Sequence, residues 1–268
     1  MKQAGFDEIR SIQFEILKAV AEFCDANGVQ YFLTGGTLLG AVRHQGFIPW
    51  DDDIDIAMPR PDYNRFLTLR QGRLGSRYDV SVLENNPAHS RLFMRVMDNR
   101  TLYVHKYYRR KYRTGLGIDV FPMDGIPEKK EECEAYFRAI RKLNRQFALA
   151  QSTPFKSTNF VRAVFKTAAM IPASVRGRER PYQKIMRLVS EYPYEESRRV
   201  GITTGVYFEK EILEKADIYP AADLPFEGHM FHAPACYEMY LTQLYGDYRK
   251  LPGVEDQKPK HAFSVYWK

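Results

Sequence analysis

Residues 51–56 read DDDIDI, and aspartate alternates with isoleucine over residues 53–56. Successive side chains of an extended chain point to opposite sides, so Asp51, Asp53 and Asp55 place their carboxylates on one face. The two isoleucines point to the other, core-facing side, together with Asp52. This pattern favours a half-buried strand over a solvated acidic loop.

The segments around this strand predict further helices and strands. Apolar residues recur at three- and four-residue intervals over residues 7–26, which is typical of an amphipathic helix that ends at an Asn-Gly pair. A short buried strand over 29–33 is followed by Gly35, Gly36 and a helix over 37–43. The other predicted elements are strands over 78–83, 91–97 and 117–121 and helices over 62–69 and 128–150.

This order of elements indicates the α/β class, more narrowly α+β, with a small mixed sheet, flanking helices and a helical extension. We expect three parts in the chain. They are a core over residues 1–127, a basic helical extension over 128–200, and a C-terminal tail over 201–268 that packs on the core.

The composition is that of a globular protein. Hydrophobic residues make up 44% and charged residues 27% of the 268 residues, which excludes a disordered or low-complexity chain. The longest nearly apolar stretches fall short of the ~18 residues that a membrane-spanning helix needs, and charges interrupt any signal core near the N-terminus. Three cysteines without a CxxC pair argue against a disulfide framework or a thiolate zinc site. We therefore expect a cytoplasmic protein.

Basic residues are concentrated in residues 138–187. The whole chain carries a net charge of +7, whereas this segment contains twelve basic residues and one acid. Such asymmetry indicates an anionic partner, which is a membrane surface, a nucleic acid or a phosphorylated substrate. Large apolar residues interleave with the bases and favour an anionic membrane over RNA. A second stretch, residues 106–113, mixes bases with tyrosines and is either a surface for phosphate and a base or a solvated hairpin.

The carboxylate face predicts a divalent metal ion. Crowded carboxylates repel one another unless a cation neutralises them, and oxygen ligands suit hard ions such as Mg²⁺ or Mn²⁺. Because Mg²⁺ is normally held by one or two carboxylates plus substrate phosphates, the substrate is expected to be a phosphate ester or anhydride. Asp119, between apolar Ile118 and Val120, is either a further acid of this site or an exposed residue of an edge strand.

Gly35 and Gly36 stand where a predicted strand gives way to a helix. The missing side chains let the backbone approach a ligand closely, and the amide groups that open the next helix attract anions. The pair is therefore either a phosphate cradle or a purely structural turn.

Together these features resemble the nucleotidyltransferase fold of the polymerase beta type, in which a Gly-Gly turn, an Asp-hydrophobic-Asp strand and a third acid combine. More narrowly, three stretches resemble the LicD family of phosphotransferases, over about residues 7–127 and 224–260. They are TGGTLLGAVRHQGFIPWDDDIDIAM, GIDVFPMDGIP and FEGHMFHAPACYEMYLTQLYGDYRKLP.

The resemblance implies roles for individual residues. Asp53 and Asp55 are the implied metal ligands and catalytic residues, with Asp119 as the third catalytic acid. Asp51 is implied to assist at the metal through bound water. The implied donor-phosphate residues are Gly35, Gly36, Thr37, Arg43 and His44, where His44 is either a hydrogen-bond donor to phosphate or only a cap at the end of its helix.

The resemblance also implies an activity. It is Mg²⁺-dependent transfer of a phospho-alcohol such as phosphocholine from a CDP-linked donor, with CDP-choline as the first expectation, and release of CMP. The implied acceptor is a hydroxyl of a cell-surface glycan, such as teichoic acid or lipopolysaccharide, or of its lipid-linked precursor. The enzyme would then work in the cytoplasm, peripherally on the inner face of the membrane.

Two rival interpretations stay open at this point. The same carboxylates serve a nucleotidyltransferase that releases pyrophosphate, and product identity separates the two reactions. A non-enzymatic alternative is a basic RNA-binding module, although nucleic acid is the less expected partner. The tyrosines of residues 237–248 are expected to pack in the core rather than contact a ligand.

Overall fold

A computed structural model gives the structure of residues 1–69, 74–106, 113–152, 177–259 and 263–268. Its helices α1 to α6 span Phe6–Asn27, Gly35–His44, Arg60–Leu69, Lys130–Gln151, Glu179–Ser190 and Tyr237–Tyr245. Its strands β1 to β10 span Phe32–Leu33, Asp55–Pro59, Tyr78–Ser81, Met94–His105, Thr114–Gly125, Arg199–Ile202, Leu213–Glu214, Ala222–Phe226, His229–Ala233 and Phe263–Trp267.

Eight of the described strands form one mixed sheet. The main path runs β1-β2-β5-β4-β10, with β3 paired to β4 and with β6 and β7 continuing from β5. β2 and β5 are parallel, and the other neighbours are antiparallel. The expected fold class is therefore confirmed. Strand β10, from the end of the chain, lies beside β4 from its first half, and the division into three parts stays a prediction.

Helix α1 packs its apolar stripe into the main core. Ile12, Ile16 and Val20 are buried on this stripe, and burial of each such side chain contributes about 1.5–3 kcal/mol. The helix ends at Gly28, whose positive φ of 61° gives the left-handed cap that glycine adopts without strain. The amphipathic helix predicted over 7–26 is confirmed.

The polar residues of α1 hold the aspartate segment in place. Arg10 Nε donates to the carbonyl of Asp51 over 2.8 Å. The buried Gln13 donates from Nε2 to the carbonyl of Asp52 over 2.5 Å, and its Oε1 accepts from the amide of Ile54 over 3.1 Å. Because a side chain satisfies these backbone groups instead of a neighbouring strand, β2 begins only after this segment.

A second, smaller core joins α4 to α5. Phe137 and Ile140 of α4 and Ile185 of α5 are buried in it. The helix predicted over 128–150 is confirmed as α4. Of the basic helical extension predicted over 128–200, α5 is also described, whereas residues 153–176 lie outside the described residues. The same holds for 107–112 in the second basic stretch.

Among the described bases of residues 138–187, Arg178 has a structural role. Arg178 is 6% exposed, and its guanidinium donates to Gln151 Oε1 over 2.9 Å and to the carbonyl of Pro87 over 2.7 Å. Ile185, an apolar residue of this segment, is buried in the smaller core. The exposed bases on α4 and α5 are Arg138, Arg141, Lys142, Arg145, Arg180, Lys184 and Arg187.

Across the ranges that the structure covers, each helix is too short or too polar to cross a bilayer.

Candidate active site

A cavity of about 580 Å³ opens beside the aspartate segment. Its wall takes residues from the start of α2, from the segment that leads into β2, and from β4 and β5. The predicted site residues that contribute to this wall are Gly35, Gly36, Asp51, Asp53, Asp55 and Asp119. The structure therefore brings together six of the nine residues that the sequence assigned to a site.

The aspartate run alternates in burial as predicted. Asp51, Asp53 and Asp55 are partly exposed, whereas Asp52 is 7% and Ile54 0% exposed. The alternation extends through residues before the ladder of β2, where Gln13 keeps the chain extended. Asp52 also contributes atoms to the cavity wall. It therefore differs from Asp51 and Asp53 in how deeply its side chain is buried, and all three lie at the same cavity.

Strand pairing places two of the predicted acids side by side. Asp55 of β2 and Asp119 of β5 are partners in the parallel register, and the amide of Asp119 donates to the carbonyl of Ile54 over 3.0 Å. Register partners on neighbouring strands project to the same face of a sheet. Two residues more than sixty positions apart in sequence therefore present their carboxylates to the same cavity.

Gly35 and Gly36 form the first turn of α2 and lie directly against the carboxylates. A Cβ atom on Gly36 would stand 2.7 Å from Asp51 Oδ2, and one on Gly35 would stand 3.3 Å from Asp55 Oδ2. The first amides of a helix have no partner within the helix and carry a partial positive charge. The site thus combines an acidic face with an anion-attracting helix end, and a Cβ at position 36 would force Asp51 to shift. Gly35 also has a positive φ of 54°, which glycine adopts without strain.

Thr37 holds Asp55 rather than lining the cavity. Its side chain is 4% exposed, and its Oγ1 accepts from the amide of Asp55 over 2.8 Å. The cavity wall formed by the described residues does not include it. Thr37 is thus placed to position Asp55, and the donor-phosphate role expected for it stays a prediction.

Arg43 and His44 lie at the far end of α2. Arg43 donates from Nε to His44 Nε2 and from a terminal nitrogen to the carbonyl of Tyr248, each over 3.0 Å. Burial and then the charge of Arg43 lower the pKa of His44. Neither residue belongs to the cavity wall as far as the chain is described. Their expected contact with donor phosphate stays a prediction without support from this placement.

Arg95 is a site residue that the sequence analysis missed. It is 7% exposed on β4, and its Nε donates to Asp119 Oδ1 over 2.6 Å. A terminal nitrogen also donates to the carbonyl of Gly117 over 3.0 Å, and the guanidinium lies 4.8 Å from the centre of the Tyr103 ring. A single arginine between Met94 and Val96 carried no sequence signal beyond its presence in an apolar strand.

Glu211 is a second residue that was missed. It is 5% exposed in the cavity wall, and burial raises its pKa to about 7 even though a hydrogen bond from the Tyr240 hydroxyl opposes this rise. The same hydroxyl lies 2.9 Å from Thr34 Oγ1 at the start of α2. Tyr240 is buried, as expected for the tyrosines of 237–248, and Tyr245 packs against the same core while it also lines the cavity.

The carboxylates of the cavity suit a metal ion whose remaining ligands are phosphate oxygens of the substrate. Within the described ranges, no three His, Cys, Asp or Glu side chains are grouped to hold a metal by themselves. Mg²⁺ is commonly bound by one or two carboxylates together with substrate phosphates, and Asp53 and Asp55 next to a helix N-terminus fit that arrangement. Asp119 adds a third carboxylate beside them, and its charge is compensated by Arg95.

Known proteins resemble the chain in the region of this site and beyond it. The family described as LicD/FKTN/FKRP, nucleotidyltransferase domain, matches residues 28–167. The lipopolysaccharide cholinephosphotransferase LicD of Haemophilus influenzae is 28% identical over 271 residues, which cover 99% of each chain. The human ribitol 5-phosphate transferase FKRP is 35% identical over 91 residues, which are 34% of this chain and 18% of that protein. The family match covers more than half of the chain, and the chain therefore belongs to the LicD family.

Proposed function

We propose that this protein transfers a phospho-alcohol from a CDP-linked donor to a hydroxyl of a cell-surface glycan or its lipid-linked precursor, and releases CMP. Two similar proteins support the reaction class, since one is a lipopolysaccharide cholinephosphotransferase and the other a ribitol 5-phosphate transferase. The observation that carries the proposal is the register pairing of Asp55 with Asp119 beside Gly35 and Gly36. Carboxylates that can hold a divalent metal ion, next to a helix N-terminus that attracts anions, suit the binding of a phosphate anhydride.

In this proposal Asp53 and Asp55 would hold Mg²⁺ or Mn²⁺, and the ion would supply positive charge that neutralises the pyrophosphate of the donor. The amides of Gly35 and Gly36 receive phosphate oxygens at the N-terminus of α2. Thr37 keeps the backbone of Asp55 fixed through its hydroxyl. Positioning and charge neutralisation supply most of the rate enhancement in such transfers, because the protein forms few new bonds itself.

Asp119 is proposed to receive the acceptor hydroxyl. It shares the carboxylate face with Asp55 and is oriented by the 2.6 Å contact with Arg95. A carboxylate held in this way can accept the proton of a hydroxyl that attacks the distal phosphorus in line. The positive charge of Arg95 beside it also offsets negative charge that develops during transfer.

A product assay tests the proposal directly. Purified protein with Mg²⁺ is incubated with CDP-choline, CDP-ribitol or CDP-glycerol and a glycan acceptor, and CMP is measured. We expect CMP with at least one donor, its loss with a chelator, and its loss in Asp53→Asn. Asp79→Asn, on β3 away from the cavity wall of the described residues, is the matched control. Pyrophosphate release from CTP without CMP from any donor would instead assign nucleotidyl transfer.

The exposed bases of α4 and α5 support a further part of this proposal, which is docking on an anionic membrane that carries the acceptor. Arg138, Lys142 and Arg145 point outward from α4, while Arg141 pairs with Glu209. Each base near an anionic surface contributes about 1 kcal/mol. Co-sedimentation with anionic vesicles should therefore occur at low salt and disappear near 1 M, where the Debye length is ~3 Å. Binding to RNA but not to vesicles would favour the nucleic-acid alternative.

A further inference from the structure

Thr34 stands at the start of α2 but does not cap that helix. It occupies the N-cap position, with an extended backbone and a carbonyl that accepts from the amide of Leu38 over 3.0 Å. A threonine at this position usually accepts a hydrogen bond from the second or third amide of its helix. The Thr34 side chain makes no such bond. The amides of Gly36 and Thr37 therefore receive no cap from it.

The Thr34 hydroxyl is instead bound by Tyr240 of α6. Their oxygens lie 2.9 Å apart, and the Tyr240 hydroxyl donates to the carboxylate of Glu211. Burial and then the charge of Glu211 raise the pKa of Tyr240, so its hydroxyl keeps its proton. Because a tyrosine hydroxyl has only one proton, Thr34 donates to Tyr240 when Tyr240 donates to Glu211. All three side chains are buried, and this chain of hydrogen bonds directs the Thr34 hydroxyl toward α6.

Thr34 is joined directly to the residues of the carboxylate face. Its amide donates to the carbonyl of Asp55 over 3.2 Å, and Gly35 follows it in the chain. Thr34 also contributes to the wall of the active-site cavity. A change in the rotamer of this threonine would therefore act at the first amides of α2, next to the proposed metal ligand.

We propose that Tyr240 is a positioning residue, which keeps the Thr34 hydroxyl off the N-terminus of α2 and leaves the first amides of the helix to donor phosphate. This inference rests on the proposed phosphotransferase function. A side-chain cap and a phosphate oxygen compete for the same amide groups, since each helix start offers only a few of them. A threonine released from Tyr240 would cap α2, and the phosphate would then have to displace it.

Tyr240 could instead serve only to satisfy the buried Glu211. The Glu211 segment, however, has further bonds to α6, because Gln243 donates from Nε2 to the carbonyls of Lys210 and Ile212 over 2.6 and 2.8 Å. Loss of the Tyr240 hydroxyl should therefore release the side chain at the start of α2 while the surrounding backbone stays in place. The positioning role and the purely structural role then predict different results for a double variant.

The test measures phosphate binding by calorimetry, apart from turnover. CDP and inorganic pyrophosphate are titrated with Mg²⁺ into the full-length wild type, Tyr240→Phe, Thr34→Val and the double variant of both. Tyr240→Phe should weaken both probes about five-fold, the factor that one capping bond contributes to an equilibrium. Thr34→Val, which cannot cap, should bind within about two-fold of the wild type, and the double variant should recover that affinity. Tyr237→Phe, the same change on α6 outside the described cavity wall, is the matched control.

Recovery in the double variant is the result that a structural role would not produce. The inference is overturned if Tyr240→Phe binds like the wild type, or if the double variant is as weak as Tyr240→Phe. It is also overturned if Thr34→Val alone weakens both probes about five-fold, because Thr34 would then contact the ligand itself, or if the wild type binds neither probe.

CMP release decides the proposed function separately. If CDP-alcohols release CMP but the variants lack this pattern, the transferase proposal stands and the positioning role falls. If no CDP-alcohol is turned over and the pattern still appears with inorganic pyrophosphate, the positioning role stands and the proposed donor is wrong.

Discussion

Replacement of Glu211 by glutamine should stabilise the protein in a manner that depends on pH. Glu211 is 5% exposed, and its burial raises the pKa from 4.5 to about 7. Glutamine has nearly the same shape, and its amide oxygen still accepts the hydrogen bond from the Tyr240 hydroxyl. The substitution therefore removes an ionisable group without opening a cavity.

The magnitude follows from the two pKa values. As the pH rises above 4.5, the carboxyl group loses its proton in the unfolded chain but keeps it in the folded protein until about pH 7. The unfolded state binds fewer protons over this window, so the stability of the wild type falls with pH and levels off above about 7. At ~1.4 kcal/mol per pH unit, the full loss is roughly 3 kcal/mol. The unfolding free energy of Glu211→Gln does not fall in this way, because glutamine does not ionise.

Thermal and urea unfolding of the ligand-free protein at pH 5, 6, 7 and 8 would check this prediction. The advantage of the variant should grow from near zero at pH 5 to roughly 3 kcal/mol at pH 8, or ~5 to 10 °C in Tm. Glu209→Gln is the matched control, because Glu209 is exposed and its ion pair with Arg141, against the effect of burial, lowers its pKa. A stability difference that is the same at every pH would refute the reasoning.

Three further predictions concern the carboxylate face. Asp53→Asn and Asp55→Asn should each reduce CMP release at least ~100-fold with Tm unchanged, and near wild-type turnover in either would remove the metal assignment. Thr37→Val should cost about 1–3 kcal/mol in unfolding free energy and lower turnover, because the Asp55 amide loses its acceptor, while Thr37→Ser should restore both. Arg95→Met should destabilise by about 3 kcal/mol, because it leaves Asp119 uncompensated; unchanged urea midpoints would contradict a buried ion pair.

The carboxylate face was predictable because its signal is local. The alternation of Asp and Ile indicates an extended chain and places the carboxylates of Asp53 and Asp55 on the same face of it. The apolar neighbours of Asp119 placed it in a strand in the same way. That Asp55 and Asp119 are register partners was not readable, since pairing of β2 with β5 depends on contacts across the whole first half of the chain.

The boundaries and supports of the site depend on distant contacts. The strand predicted over 91–97 continues as β4 to His105, through polar residues that have no alternation. Asp98 is fully buried there because Arg77 and Arg100 pair with it. Such compensation is invisible in a local pattern. For the same reason Arg95 and Glu211 went unnoticed, as each gains its significance only from a partner or wall supplied by another element.

The energetic cost of burying Glu211 can be linked to what binds in the cavity that it lines. A positive charge bound beside Glu211 favours the ionised carboxylate, so such binding should release a proton near neutral pH and recover free energy that the protein alone lacks. Stabilising changes at functional positions commonly weaken function, because the destabilising group serves the ligand. Glu211→Gln should therefore gain stability above pH 7 and lower turnover in the same molecule. A gain in stability with unchanged turnover would mean that Glu211 takes no part in binding or catalysis.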